Sequence, residues 1–123
     1  MLDRIKNLHK GRQAELLGSR YLKAKGLSVV SRNYRSKSGE IDIIAKDGNT
    51  TVFVEVRYRA GQHFGLAQET VDARKQAKLA KTALHYMHNH PGSHNAPMRF
   101  DVLAINGDLA TNNINWIRDA FEF

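Results

Sequence analysis

At 123 residues, 41% hydrophobic and 25% charged, the chain has the size and composition of one ordinary globular domain, which excludes a disordered or fibrous protein and leaves no room for two domains. Nineteen Lys and Arg against twelve Asp and Glu leave a net charge of +7, which favours polyanionic partners, nucleic acid first among them, although a basic surface can also be inert. The lack of cysteine excludes disulfides, thiolate metal sites and cysteine nucleophiles, so any metal must be held by oxygen or imidazole.

The stretch from Met1 to Lys6 has no apolar core of the secretory kind, and no apolar run reaches membrane-spanning length, so a cytoplasmic location away from membranes is expected. Between Gly11 and Lys25, Ala14, Leu17, Gly18, Tyr21 and Leu22 recur at helical spacing, and Gly26 stands where a helix ends, which predicts an amphipathic helix. A short strand is expected over Leu27 to Val30, followed by a polar, basic loop from Ser31 to Gly39 that carries Arg32, Arg35 and Lys37. Two β-branched runs, Glu40 to Ala45 and Thr51 to Tyr58, flank the turn-forming Lys46 to Thr50 and predict a β-hairpin. After a loop at Gly61 to Gly65, Val71, Leu79, Ala83 and Tyr86 mark a second helix from Val71 to His88, stopped by Pro91-Gly92. A strand from Phe100 to Ile105, a turn at Asn106-Gly107-Asp108 and a last strand from Ile114 to Ile117 complete the order α, β, β, β, α, β, β. One domain over residues 1–123 is expected, with its core at about 11–118.

The hairpin carries the acidic residues. If Gly48-Asn49 is a two-residue loop, Asp47 pairs with Thr50, and counting outward sets Asp42 opposite Glu55 and Glu40 opposite Arg57, all on one face. Opposed like charges are destabilising, so something must compensate: a hard divalent cation, a raised carboxyl pKa, or a salt bridge to Arg57. A three-residue loop without a bulge would instead separate Asp42 and Glu55 to opposite faces and leave ordinary surface acids.

Other residues invite weaker readings. His85, His88, His90 and His94 gather around the end of the second helix, but Pro91-Gly92 interrupts them and they read as surface residues. Arg32, Arg35 and Lys37 before the acids, and Arg57, Arg59, Arg74, Lys75, Lys78 and Lys81 after them, could ring the site with phosphate contacts, although Lys78 and Lys81 also suit a solvated helix face. Tyr34 and Tyr58 could stack on unpaired bases, and Asp101 either faces the hairpin or pairs with Arg99.

Gly39-Glu40-Ile41-Asp42, the run Phe53 to Arg59, Phe64-Gly65, Lys75 and Arg99-Phe100-Asp101-Val102 resemble, in order and spacing, the YraN family of small bacterial proteins. Through it the chain resembles the PD-(D/E)XK nucleases, above all the Holliday-junction resolvases. The resemblance implies a restriction-endonuclease-like α/β fold, a mixed central sheet of four or five strands flanked by two helices. It implies a Mg²⁺- or Mn²⁺-dependent endonuclease acting on nucleic acid, DNA rather than RNA and branched or recombination DNA in particular, with a homodimer suited to cutting two strands. Asp42 and Glu55 match the metal-binding Asp and Glu, and Glu15 matches the acid that the first helix contributes. Where the superfamily has Glu-x-Lys, this chain has Arg57. Arginine stays protonated and cannot be a general base, though it can clamp a phosphate. Lys75 could take the missing role from the second helix, or it could merely snorkel at the edge of the apolar stripe. The alternative to a nuclease is a nucleic-acid-binding module that keeps the fold but no longer cuts.

Overall fold

The computed structural model describes residues 2–61, 67, 71–93 and 95–122, with side chains from residue 9 onward except that of Ser93. Helix α1 (Leu2–Ala24) is followed by β1 (Ser28–Ser36), β2 (Gly39–Asp47), β3 (Thr50–Arg59), α2 (Ala73–Asn89), β4 (Met98–Asn106) and β5 (Ile114–Phe121). The five strands form one sheet in the order β1-β2-β3-β4-β5. All neighbours are antiparallel except β3 and β4, which run parallel with α2 in the crossover between them. This is the mixed, helix-flanked α/β sheet that the resemblance implies. Among the described residues no helix is long and apolar enough to cross a membrane.

Each helix covers one face of the sheet. Beneath α1, Leu22 packs with Ile43, Val52, Val54 and Leu103; beneath α2, Leu79, Ala83 and Tyr86 pack with Ile44, Phe53 and Phe100. The alternation of β3 sends Val52 and Val54 to one layer and Phe53 to the other, so its unbroken apolar run is that of a strand buried on both sides. Gly18 sets the distance of α1 from the sheet: a Cβ there would stand 3.0 Å from Leu103 Cδ1 and 3.5 Å from Val56 Cγ2. At the start of α2, Asp72 Oδ1 accepts the Lys75 backbone N–H at 2.9 Å.

The sequence misplaces one element. Residues 31–36 are not a loop; they continue β1, and only Lys37 and Ser38 form the turn into β2. β1 is an edge strand with an irregular pattern of exposure, and over residues 31–36 its exposed residues, Arg32, Asn33 and Arg35, are polar, so this part lacks the apolar alternation that would announce it. Strands β2 to β5 run longer than predicted, β5 by four residues, Arg118 to Phe121, and α1 gains a whole N-terminal stretch, whereas α2 starts at Ala73 and not at Val71 and ends one residue later, at Asn89. β5 is also irregular: Asp119 has φ +50°, and its N–H donates to Asp101 Oδ1 at 2.9 Å. Asp101, fully buried, also accepts from Arg99 and from Trp116 Nε1, which makes it a buried tie between β4 and β5 and not a ligand facing the hairpin.

Candidate active site at the fork between β2 and β3

The β2–β3 hairpin has the predicted register. Asp47 pairs with Thr50 around Gly48, whose φ of +59° suits the tight turn, and the ladder continues to Ile43 opposite Val54. There it stops. The Asp42 carboxylate accepts the backbone N–H of Val56 at 2.8 Å, a side chain standing in for a main-chain partner, and the two strands part. β3 stays paired with β4 as far as Arg59, while β2 stays paired with β1 as far as Gly39. On the β1 side, Asn33 lies between the pairs Arg32–Ile43 and Tyr34–Ile41, and so across from Asp42, with φ +56°. β2 turns over at this point: Ile41 packs in the layer under α2 and Ile43 in the layer under α1, although a regular strand would send both the same way.

Both helices reach into this fork. Asp42 is within hydrogen-bonding reach of Glu15 from α1 and of Glu55 from β3, and Lys75 Nζ from α2 stands 3.5 Å from Glu55 Oε2. Arg57 Nη2 is 4.0 Å from the same oxygen. Glu15, Asp42, Glu55, Arg57, Arg59 and Lys75 thus line one cleft of about 580 Å³, together with Lys10, Tyr58 and small residues. A second cleft of about 700 Å³ shares Gly11 and Glu15 with the first and is walled by Arg12, Arg32, Asn33, Arg35 and Glu40.

Burial of acids beside one another governs the electrostatics. Glu55 is only 5% exposed. Burial first, then the hydrogen bond and charge of Asp42, raises its carboxyl to about 9 against the pull of Lys75 and Arg57. Glu15 rises to about 7 through burial and the charges of Asp42 and Glu40, opposed by a hydrogen bond from Asn33. Two of the three compensations expected from sequence, a raised pKa and nearby cations, are therefore present together.

Two buried side-chain polar atoms remain without a hydrogen bond among the described residues: the acceptor Glu55 Oε2, which the cations approach only at ion-pair distance, and the donor Arg57 Nε. An unsatisfied carboxylate oxygen in an all-oxygen acidic set fits a hard cation, and an unsatisfied guanidinium donor fits an anion. No three His, Cys, Asp or Glu side chains among the described residues form a ready-made metal-holding group. A cation here would be held as Mg²⁺ commonly is, by one or two carboxylates, with water and substrate oxygens completing its shell.

The profile of the uncharacterised protein family UPF0102 matches residues 14–105, a span that contains the whole acidic cluster and Lys75. The chain belongs to this family. UPF0102 proteins of Nitrosococcus oceani and Stutzerimonas stutzeri are each 46% identical to it over 112 residues, covering 91% of this chain and 90% and 93% of theirs. A UPF0102 protein of Pseudomonas syringae pv. syringae is 40% identical over 122 residues, covering 98% of this chain and 99% of its own.

Within this UPF0102 chain the fork corrects the full hairpin face drawn from register. The ladder ends before Glu40 can meet Arg57, and Glu40 instead pairs with Arg35 at 3.5 Å in the second cleft. Lys37, in the β1–β2 turn, and Arg74, exposed at the start of α2, line neither cleft. Among the described residues the histidines form no metal-holding group: His85 Nδ1 bonds the Tyr34 hydroxyl at 2.6 Å and His90 stacks on Tyr86, while His94 lies outside the described residues, as does Phe64-Gly65. Tyr34 is thereby committed to α2, whereas Tyr58 lines the first cleft. Sequence reasoning missed Lys10, Arg12 and Asn33. Lys10 and Gly11 precede Ala14 and Glu15 by four positions on one helical stripe, a spacing that was there to be followed upstream.

Proposed function

We propose that the protein is a divalent-cation-dependent phosphodiesterase acting on nucleic acid, an endonuclease with DNA, branched DNA in particular, as its substrate class. The observation that carries this reading is the pairing, in one basic cleft, of an unsatisfied buried acceptor on Glu55 with an unsatisfied buried donor on Arg57, flanked by Asp42 and Lys75. Asp42 and Glu55 would hold the cation, with Glu15 beside them, and Mg²⁺ or Mn²⁺ suits oxygen donors of this kind. Bound there, the cation supplies positive charge against a phosphoryl oxygen and makes water more acidic. Val56 N–H fixes the Asp42 carboxylate by one oxygen. Arg57 and Arg59 clamp non-bridging phosphate oxygens, and Arg57, always protonated, takes no proton from the nucleophile. Lys75 enters from the opposite element at the position where an ammonium can orient water or offset charge that develops on the phosphate. The placement of Lys75 beside Glu55 supports its taking over the role that Arg57 cannot fill.

Cleavage of labelled branched, duplex and single-stranded DNA, and of RNA, with Mn²⁺ tests the reading. The wild type should cut, Asp42→Ala and Glu55→Ala should be inactive, and Lys75→Ala should lose roughly a hundredfold or more. Arg57→Lys should keep activity. A second reading, a nucleic-acid-binding module without catalysis, is favoured by Arg57, which stands at the position of the superfamily's Lys and cannot act as a general base. Binding with no cutting by the wild type or by Arg57→Lys would decide for it.

A further inference from the structure

Asn33 is one of two non-glycine residues with left-handed backbone among those described, and the bend it makes falls across from Asp42. Such a conformation is uncommon outside glycine, and asparagine and aspartate tolerate it best. Its side chain is exposed toward the second cleft, where two carboxylates converge on it. An amide oxygen facing two carboxylates would be repelled, which sets the group with its nitrogen toward them. In that orientation Nδ2 donates to Glu40 Oε1 at 2.8 Å and to Glu15 Oε2 at 2.9 Å.

A neutral side chain with two N–H donors is suited to this position. It joins two acids that would otherwise repel one another and adds no charge of its own. The same bonds fix where Glu15 points. Glu15 is the only described acid of the cluster contributed by α1, and it stands between the two clefts. Without a tether its side chain would be free to swing from Asp42 toward Arg12 or Arg32.

We infer that Asn33 is a positioning residue: its left-handed backbone and two-donor amide hold Glu15 against Asp42 and keep Glu40 out of the cation-binding fork. The inference rests on the cation-dependent reading for its purpose, and on the Asn33–Glu15 contact for its substance. Glycine is the informative replacement, because it accepts the backbone angle and removes only the amide.

The test pairs Mn²⁺ affinity with a metal-free stability cycle on Asn33→Gly, Glu15→Ala and the double variant. Asn33→Gly should weaken Mn²⁺ binding roughly tenfold, as loss of an outer partner of a ligand does, and should add nothing once Glu15 is already alanine. In chelator, the Tm shifts of the two single changes should fail to add in the double variant. Asn33→Asp, which tolerates the backbone but replaces the donor by a third carboxylate, should bind Mn²⁺ more weakly than Asn33→Gly. Additive Tm shifts overturn the assignment whatever the ion does. An equal affinity loss for Asn33→Gly in the presence and absence of Glu15 does so as well. A wild type that binds no Mn²⁺ while the Tm shifts remain non-additive defeats the phosphodiesterase reading and leaves the tether standing.

Discussion

Glu55 is the residue on which the electrostatics of this chain turn. Its carboxyl, at about 9, and that of Glu15, at about 7, both lie above the 4.5 of an unfolded glutamate. The folded state thus binds protons that the unfolded state releases. The stability linked to both groups is fully present below about pH 4.5 and is lost as pH rises through 7 and then 9. In chelator, Tm should therefore fall between pH 6 and pH 9, and Glu55→Gln, which copies the protonated form, should flatten the upper part of that fall. Added Mn²⁺ should restore Tm most at the alkaline end, because the cation displaces the same protons. Thermal scans across this range would refute the assignment if the wild type and Glu55→Gln lost stability in parallel.

Among the elements, α1 and the fork it touches decide whether these acids meet at all. Gly18 lets the helix lie close enough for Glu15 to reach Asp42, and a side chain there must displace Leu103 or lift the helix. Gly18→Val should cost about 1–3 kcal/mol by overpacking and should weaken Mn²⁺ binding as well. A stability loss with unchanged affinity would show that α1 does not position Glu15. The hairpin register was legible because Gly48-Asn49 permits a specific turn, and a turn of known length fixes every pair beyond it. The fork was not legible. Extending a ladder is the default reading of two β-branched runs, and nothing in the residue types announces that Asp42 will take the Val56 N–H and end it. The second part of β1, residues 31–36, escaped notice for the opposite reason: a polar edge strand offers no apolar period. Asn33 lay within the supposed loop, where a left-handed residue attracts no attention; only its place across from Asp42 gives it meaning.

For the molecule as a whole, the net charge of +7 predicts attraction to polyanions but says nothing of where they lie. The two clefts mark the path that the proposed function calls for. The two clefts meet at Glu15, with Lys10, Arg57 and Arg59 on one side and Arg12, Arg32 and Arg35 on the other, so a phosphate backbone laid through both would meet cations before and after the acidic fork. Each phosphate neutralised in complex with duplex DNA contributes about 0.9 to the slope of log affinity against log salt. Arg59→Ala and Arg32→Ala should each lower that slope by about 1, because they stand in different clefts and both touch the same track. Lys37→Ala and Arg74→Ala remove the same charge from outside the clefts and should leave the slope nearly unchanged. Salt titrations of DNA binding on these four variants, performed with Ca²⁺ or no divalent ion to prevent cutting, separate a defined track from diffuse attraction. Four equal decreases would mean that net charge alone holds the nucleic acid, and the two clefts would then have no claim to be its path.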